Sequence, residues 1–306
     1  GDRDFVDAHP PECVVVIGRP TLSRPVSALV RRPDVRLVVV DSGTHWSVPG
    51  RAIDRVPWSV IVVPSVPGGL GTPLATPNPP MRPDDTGSAA DHWRETWLDR
   101  GAAIEASLLV DPPEWPTGAA IARTLGTALP ADALLFVGSS NAPRDLDAAL
   151  GPRAGRLDIV ANRGLAGIDG CVSTAIGLAL AEPERPAYAL MGDLTFLHDT
   201  NGLLIGPDEP RPNLTIVVVN DDGGGIFHVL EPGEPERAED FERLFGTPTG
   251  ADLEVLCRAH GIRHSLAATA EGLAKTVAAQ PDGISVVEIF ADRSVRRADA
   301  DELRTR

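Results

Sequence analysis

Apolar residues along the chain gather in short β-branched runs, each closed by glycine, proline, asparagine or a carboxylate, and stretches of helical character lie between them. CVVVIG (13–18), RLVVVD (36–41) and SVIVVP (59–64) are three such runs, and RPVSALVRR, of helical composition, separates the first two. Apolar runs without strict alternation are buried on both faces, as in a parallel sheet covered by helices on each side. They predict a small α/β domain over residues 1–104. Residues 64–87 are rich in proline and glycine and poor in large apolar side chains, which predicts an irregular connector. Residues 91–109 then carry Trp93, Trp97, Ile104 and Leu108 at helical spacing, so a helix is expected to bridge the two halves.

The second half, 105–306, repeats the pattern more fully. A helix is expected over 117–129, a strand in ALLFVGSSN (133–141), another in RLDIVANRG (156–164), and a helix of small residues over 169–181. Strands follow in PAYALMGD (186–193), LTIVVVND (214–221) and ISVVEIFAD (284–292). This alternation predicts a second doubly wound parallel-sheet domain, making the fold class α/β throughout. Ligands of such sheets sit beyond the carboxyl ends of the strands. GSSN, NRG, GD and NDDGGG all fall there, so four polar loops are expected to converge on one edge.

Charge and composition narrow the function. The 306 residues carry a net charge of -15 and are 42% apolar, which describes a folded chain with no general affinity for nucleic acid or an anionic membrane. No apolar run is long enough to span a bilayer and the first residues lack the features of a signal peptide, so the expected location is cytoplasmic. Cys13, Cys171 and Cys257 are odd in number and far apart, and are expected to be buried free thiols.

Asp193 and Asp221 end two of the predicted strands, 28 positions apart. If those strands are neighbours, both carboxylates face one crevice. Mg²⁺ takes one or two carboxylates and completes its shell with phosphate oxygens and water, while a glycine-rich turn lets the Gly223 carbonyl face a metal and lets N–H groups approach a phosphate. A tight turn with solvated carboxylates explains the spacing equally well. Arg144 and Arg163 follow strands and suit a substrate with several carboxylates, surface or ion-pair roles being the alternative. His198 and Asp199 are expected on the helix after the GD turn. His260 and His264, at i, i+4 in an expected helix and loop, have no carboxylate or cysteine placed to complete a zinc site. Ser139 and Ser140 stand in no nucleophile elbow. EPGEPERAED (231–240) is expected to be a solvated loop.

GD at 192–193 followed by ND at 220–221 and a glycine two residues later resembles the GD…NN thiamine diphosphate pattern, with Asp221 where asparagine is usual. SSNAPRDLD, NRGLAGIDGCVSTAIG, MGDLTFLHDTNGLLIG and NDDGGGIF together resemble the 2-succinyl-5-enolpyruvyl-6-hydroxy-3-cyclohexene-1-carboxylate synthase family of menaquinone biosynthesis. GRPTLSRPV (18–26) is similar to its central domain, and the residues from about 105 onward to its diphosphate-binding domain. The resemblance implies thiamine diphosphate and Mg²⁺ as cofactors, with Asp193, Asp221 and the Gly223 carbonyl on the metal. Gly192, Leu194, Gly224, Ile226 and Ser140 would bind the cofactor, and Ile168 would be the apolar prop that bends it. Ser140, Arg144, Arg163, Phe227 and Arg24 would face the substrates.

The reaction so implied is decarboxylation of 2-oxoglutarate and addition of the succinyl unit to isochorismate by a homodimer or homotetramer. Members of this class bind the aminopyrimidine ring on an N-terminal domain, which is not recognised before Gly1. A fragment inactive without that domain is therefore expected. Another thiamine diphosphate-dependent carboligase or decarboxylase, or a noncatalytic ligand-binding relative, would share most of these features.

Overall fold

Val15 of the first run pairs with Val38 of the second in parallel, the arrangement expected of two β-branched runs joined through a helix. A computed structural model describes residues 3–17, 22–41, 54–57, 89–151 and 157–305. Two compact units divide the chain, Gly1–Ile104 and Glu105–Arg306.

In the first unit, α1 (Arg3–Ala8) and β1 (Cys13–Ile17) are followed by α2 (Arg24–Val30), β2 (Arg36–Asp41), β3 (Asp54–Pro57) and the start of α3 (Ala89–Val110). The three strands form a parallel sheet in the order β1-β2-β3. Ser23 caps α2, its hydroxyl accepting from the Val26 N–H at 3.4 Å, and Pro25 supplies a preset φ in the first turn. Val30 of this helix packs with Val16, Leu37 and Val39. Trp93 and Trp97 of α3 each donate an indole N–H to the His9 carbonyl at 3.2 Å. The expected strand at 59–64 and the connector 64–87 lie outside the described residues; the third strand that is described, β3, comes earlier in the chain.

The second unit contains α4 (Gly118–Ala128), β4 (Leu134–Val137), α5 (Ala142–Ala149), β5 (Asp158–Ala161), α6 (Cys171–Ala181), β6 (Ala187–Gly192) and α7 (Asp193–His198). After β7 (Leu214–Asn220) come α8 (Ala238–Phe241), α9 (Leu253–Ala259), β8 (Arg263–Leu266), α10 (Ala270–Ala278), β9 (Ile284–Phe290) and α11 (Arg296–Thr305). Six strands form one parallel sheet in the order β5-β4-β6-β7-β9-β8. Helices cover both faces, which is why β7 reads as an uninterrupted apolar run. Val217 and Val219 pack with Ile121 and Leu125 of α4 and Leu273 of α10 on one face. Ile216 and Val218 pack with Ile176 of α6, Phe196 of α7 and Leu253 of α9 on the other.

Three expectations need correcting. His264 lies on β8, an edge strand, instead of in a helix and loop, while His260 caps the end of α9. Residues 231–240 are largely exposed but wound into 3-10 turns at Glu231–Gly233 and Pro235–Arg237 that lead into α8. Cys171 and Cys257 are buried free thiols, whereas Cys13 is exposed because alternate residues of β1 face outward.

Candidate functional site

All six strands of the second unit run the same way, so their carboxyl ends share one edge. From β4 the chain goes outward to β5 and then returns to the opposite side of β4 to place β6. That reversal opens a crevice between the ends of β4 and β6, the usual seat of a ligand in an open α/β sheet. A pocket occupies it, lined by Ser140 after β4, Gly192, Asp193 and Leu194 after β6, Asp221 and Gly223 to Phe227 after β7, and Ile168 before α6. Ten predicted site residues thus meet in one place: Ser140, Ile168, Gly192, Asp193, Leu194, Asp221, Gly223, Gly224, Ile226 and Phe227.

Gly192 is in register with Val219 of β7, which brings Asp193 and Asp221 to similar heights above the sheet. Both are buried, at 3% and 6% exposure. Burial and the neighbouring Asp221 charge push the Asp193 carboxyl up to about 7, against backbone hydrogen bonds at Leu194 and Gly223 that favour its charged form. Burial also raises Asp221, and Arg296 and Arg293 oppose that shift. Two carboxylates whose ionisation is disfavoured by burial, and in Asp193 by its partner as well, have the chemistry of a cation site. Among the described residues no group of three or more His, Cys, Asp or Glu side chains could hold a metal. A cation here would complete its shell from backbone, phosphate and water oxygens, as Mg²⁺ does. Gly223 has φ of 143°, and a Cβ there would lie 2.0 Å from the Gly246 carbonyl oxygen, so only glycine fits this loop.

The second aspartate of NDDGGG does different work. Asp222, at a φ of 51°, accepts from the N–H groups of Thr249 and Gly250 at 3.0 and 2.9 Å, and its own N–H donates to Asn220 Oδ1 at 3.0 Å. Asn220 Nδ2 donates to Glu288 Oε1 on β9 at 2.5 Å, and Glu288 Oε2 lies 2.8 Å from His264 Nε2. Arg293 donates to the carbonyls of Asp221 and Asp222 at 2.7 and 2.9 Å and pairs with Glu242. Asp221 alone of the two carboxylates lines the pocket, while Asp222 fastens the loop to its surroundings.

Ser140 holds a φ of 80°, unusual for a residue with a side chain, at the rim of the pocket. The Arg144 side chain folds back to donate to the Ser140 carbonyl at 2.5 Å. Neither Arg144 nor the half-buried Arg163 lines the pocket, and Arg24 is an exposed residue at the start of α2 in the other unit. His198 ends α7 and is exposed. Asp199 caps α6, accepting the Ser173 N–H at 2.6 Å and its hydroxyl at 3.1 Å. Asp145 and Arg296 also line the pocket, and sequence reasoning missed both, together with Arg293. Arg293 and Arg296 stand just past β9, whose carboxyl end shares the ligand-binding edge; extending that rule to the last strand would have found them.

Residues 151–289 match the family described as thiamine pyrophosphate enzyme, C-terminal TPP binding domain. Over 96% of its length the chain is 43% identical to a 2-succinyl-5-enolpyruvyl-6-hydroxy-3-cyclohexene-1-carboxylate synthase from Saccharopolyspora erythraea, covering 49% of that protein. Proteins with the same name from a Nocardioides species and from Thermobifida fusca are each 45% identical over 95% of the chain, which covers 52% and 48% of them. The chain therefore spans about half the length of the curated relatives it matches. The chain is thus similar to the 2-succinyl-5-enolpyruvyl-6-hydroxy-3-cyclohexene-1-carboxylate synthases over about half their length, and residues 151–289, which include both buried aspartates, match the C-terminal TPP binding domain of thiamine pyrophosphate enzymes.

Proposed function

We propose that this protein is a thiamine diphosphate-dependent transferase that decarboxylates 2-oxoglutarate and adds the succinyl unit to isochorismate in menaquinone biosynthesis. The observation that carries the reading is the buried Asp193 and Asp221 pair, set at the switch point of a domain that matches the TPP-binding family. Asp193, Asp221 and the Gly223 carbonyl would hold Mg²⁺ against the diphosphate. The main chain at Gly192, Leu194 and Gly224 would approach the same anion, and Ile168 and Ile226 give the rings an apolar seat. When bound, the cofactor supplies the electron sink for loss of CO₂ from a 2-oxo acid. Arg144 and Arg163, with Ser140, bind and orient substrate carboxylates. Phe227 screens the reacting region from water, and Arg24 is assigned to the substrate side. The reading includes a pyrimidine-binding domain, in the same polypeptide or another, and a cytoplasmic homodimer or homotetramer. Among the described residues no helix is long and apolar enough to cross a membrane.

Titration calorimetry tests the cofactor site. Thiamine diphosphate is expected to bind only with Mg²⁺, and Asp193→Ala to weaken it by at least the about 10–100-fold that loss of an outer-shell partner costs. A panel of 2-oxo acids, assayed with isochorismate and the pyrimidine-binding domain, tests the substrates. Turnover of 2-oxoglutarate that depends on isochorismate is expected. Preference for another 2-oxo acid would move the protein to a different carboligase.

A further inference from the structure

Position 221 carries an aspartate where the diphosphate-binding pattern has asparagine, and the structure holds a matching residue on the opposite side. An asparagine would offer one carbonyl oxygen and a neutral amide; an aspartate offers two acceptor oxygens and a full negative charge. Its second oxygen, Oδ2, is enclosed. A Cβ added at Gly225 would lie 2.1 Å from it, so the main chain presses on one side, and Arg296 Nε lies 3.5 Å away on another. The Arg296 side chain is 9% exposed and is itself held by Asp145 Oδ2, which accepts from Nη1 at 3.0 Å. Gly118 leaves room for this clamp, since a Cβ there would stand 2.2 Å from Asp145 Oδ2 and 2.5 Å from Arg296 Nη1. The nearby Arg293 is engaged by Glu242 and by two backbone carbonyls. Among the described residues, Arg296 is therefore the cation that pairs with the Asp221 carboxylate.

We propose that Arg296, clamped by Asp145, is the positioning residue whose charge neutralises Asp221, so that an aspartate serves where a neutral ligand is usual. The proposal rests on the cation site of the function proposed above. It makes a signed forecast, because Arg296→Met removes one positive charge, Asp221→Asn removes one negative charge, and the double variant restores the original balance.

The experiment is a double-variant cycle on the full chain, read by thermal melts without ligand and by titration with Mn²⁺ as the probe cation. Each single variant is expected to lower Tm, with the double variant recovering about 3 °C or more relative to the sum of the two losses. Mn²⁺ affinity is expected to rise in Arg296→Met, to fall in Asp221→Asn, and to return to within about threefold of the original in the pair. A purely structural role for Arg296 predicts additive Tm losses and no return of affinity, and that result would overturn the proposal. Arg296→Lys, which keeps the charge and loses the fork, covers the case in which the methionine variant does not fold: the proposal requires its Mn²⁺ affinity to stay near the original. If Mn²⁺ does not bind the original chain in an Asp193-dependent way, the cation reading fails, and the Tm cycle by itself still decides the pairing.

Discussion

Asp193 is the residue whose environment makes the sharpest demand on solution behaviour. Its carboxyl titrates at about 7 in the folded chain, against 3.8 for an unperturbed aspartate. The folded state thus prefers the protonated form. The stability that Asp193 contributes is complete below the ordinary carboxylate range and is lost as pH rises through about 7. Without ligand, Tm is expected to fall more steeply between about pH 5 and about pH 8 in the original chain than in Asp193→Asn. Mg²⁺ with thiamine diphosphate should flatten that fall, because a bound cation replaces the proton. Equal slopes in the two chains would mean that Asp193 is not held in this buried, charge-crowded setting. Asp193 and Asp221 were legible in the sequence because each ends an apolar run in a sheet whose strand ends share an edge. The pairing of Asp145 with Arg296 was not, since it joins positions 151 residues apart and no local pattern records it.

At the scale of elements, one of the anchors of the loop that carries Asp221 and Gly223 comes from a strand the sequence concealed. β8 reads RHSL, with one half-buried position among exposed ones, so no alternation of apolar residues announces it. The long runs β6, β7 and β9 were legible because helices cover both their faces. β8 lies at the sheet edge, where His264 reaches inward to Glu288 of β9, and Glu288 in turn holds Asn220 at the end of β7. The His264 and Glu288 side chains keep only 7% and 4% of their exposure. Glu288→Ala would leave two buried polar groups without their partner and is expected to cost about 3–5 kcal/mol in urea denaturation. Glu288→Gln retains an acceptor for Asn220 and a donor for the ring, so less than about half of that loss is expected. The alanine variant should also weaken Mg²⁺-dependent cofactor binding, because Asn220 Oδ1 fixes the Asp222 N–H in the loop that carries Asp221 and Gly223. Full stability in Glu288→Ala would show that the loop is held by Arg293 and Asp222 instead.

For the molecule as a whole, the question is which unit carries the proposed cofactor site. Both large cores, one on each face of the six-stranded sheet, are built from residues of Glu105–Arg306, as is every residue that lines the crevice. The first unit has a separate small core around Val16, Val30, Leu37 and Val39. Even the part of α3 that falls in the second unit is tied there, through the ion pair of Glu105 with Arg123 at 3.1 Å. A polypeptide limited to residues 105–306 is therefore expected to fold cooperatively, since a domain of this size buries enough apolar surface to stand alone. Its Mg²⁺-dependent affinity for thiamine diphosphate is expected to lie within about threefold of the full chain's, a difference of under about 1 kcal/mol. Calorimetry on the two polypeptides checks this, with circular dichroism to confirm the fold. A shortened chain that folds but no longer binds would show that the diphosphate end of the cofactor draws on residues 1–104. Arg24 would then be the first residue to replace, because it is the cation of that unit assigned to the substrate side. Retained binding would leave Arg24 with the substrates alone, and an Arg24→Ala change, assayed with the proposed pyrimidine-binding domain, should then raise KM while leaving cofactor affinity as it was.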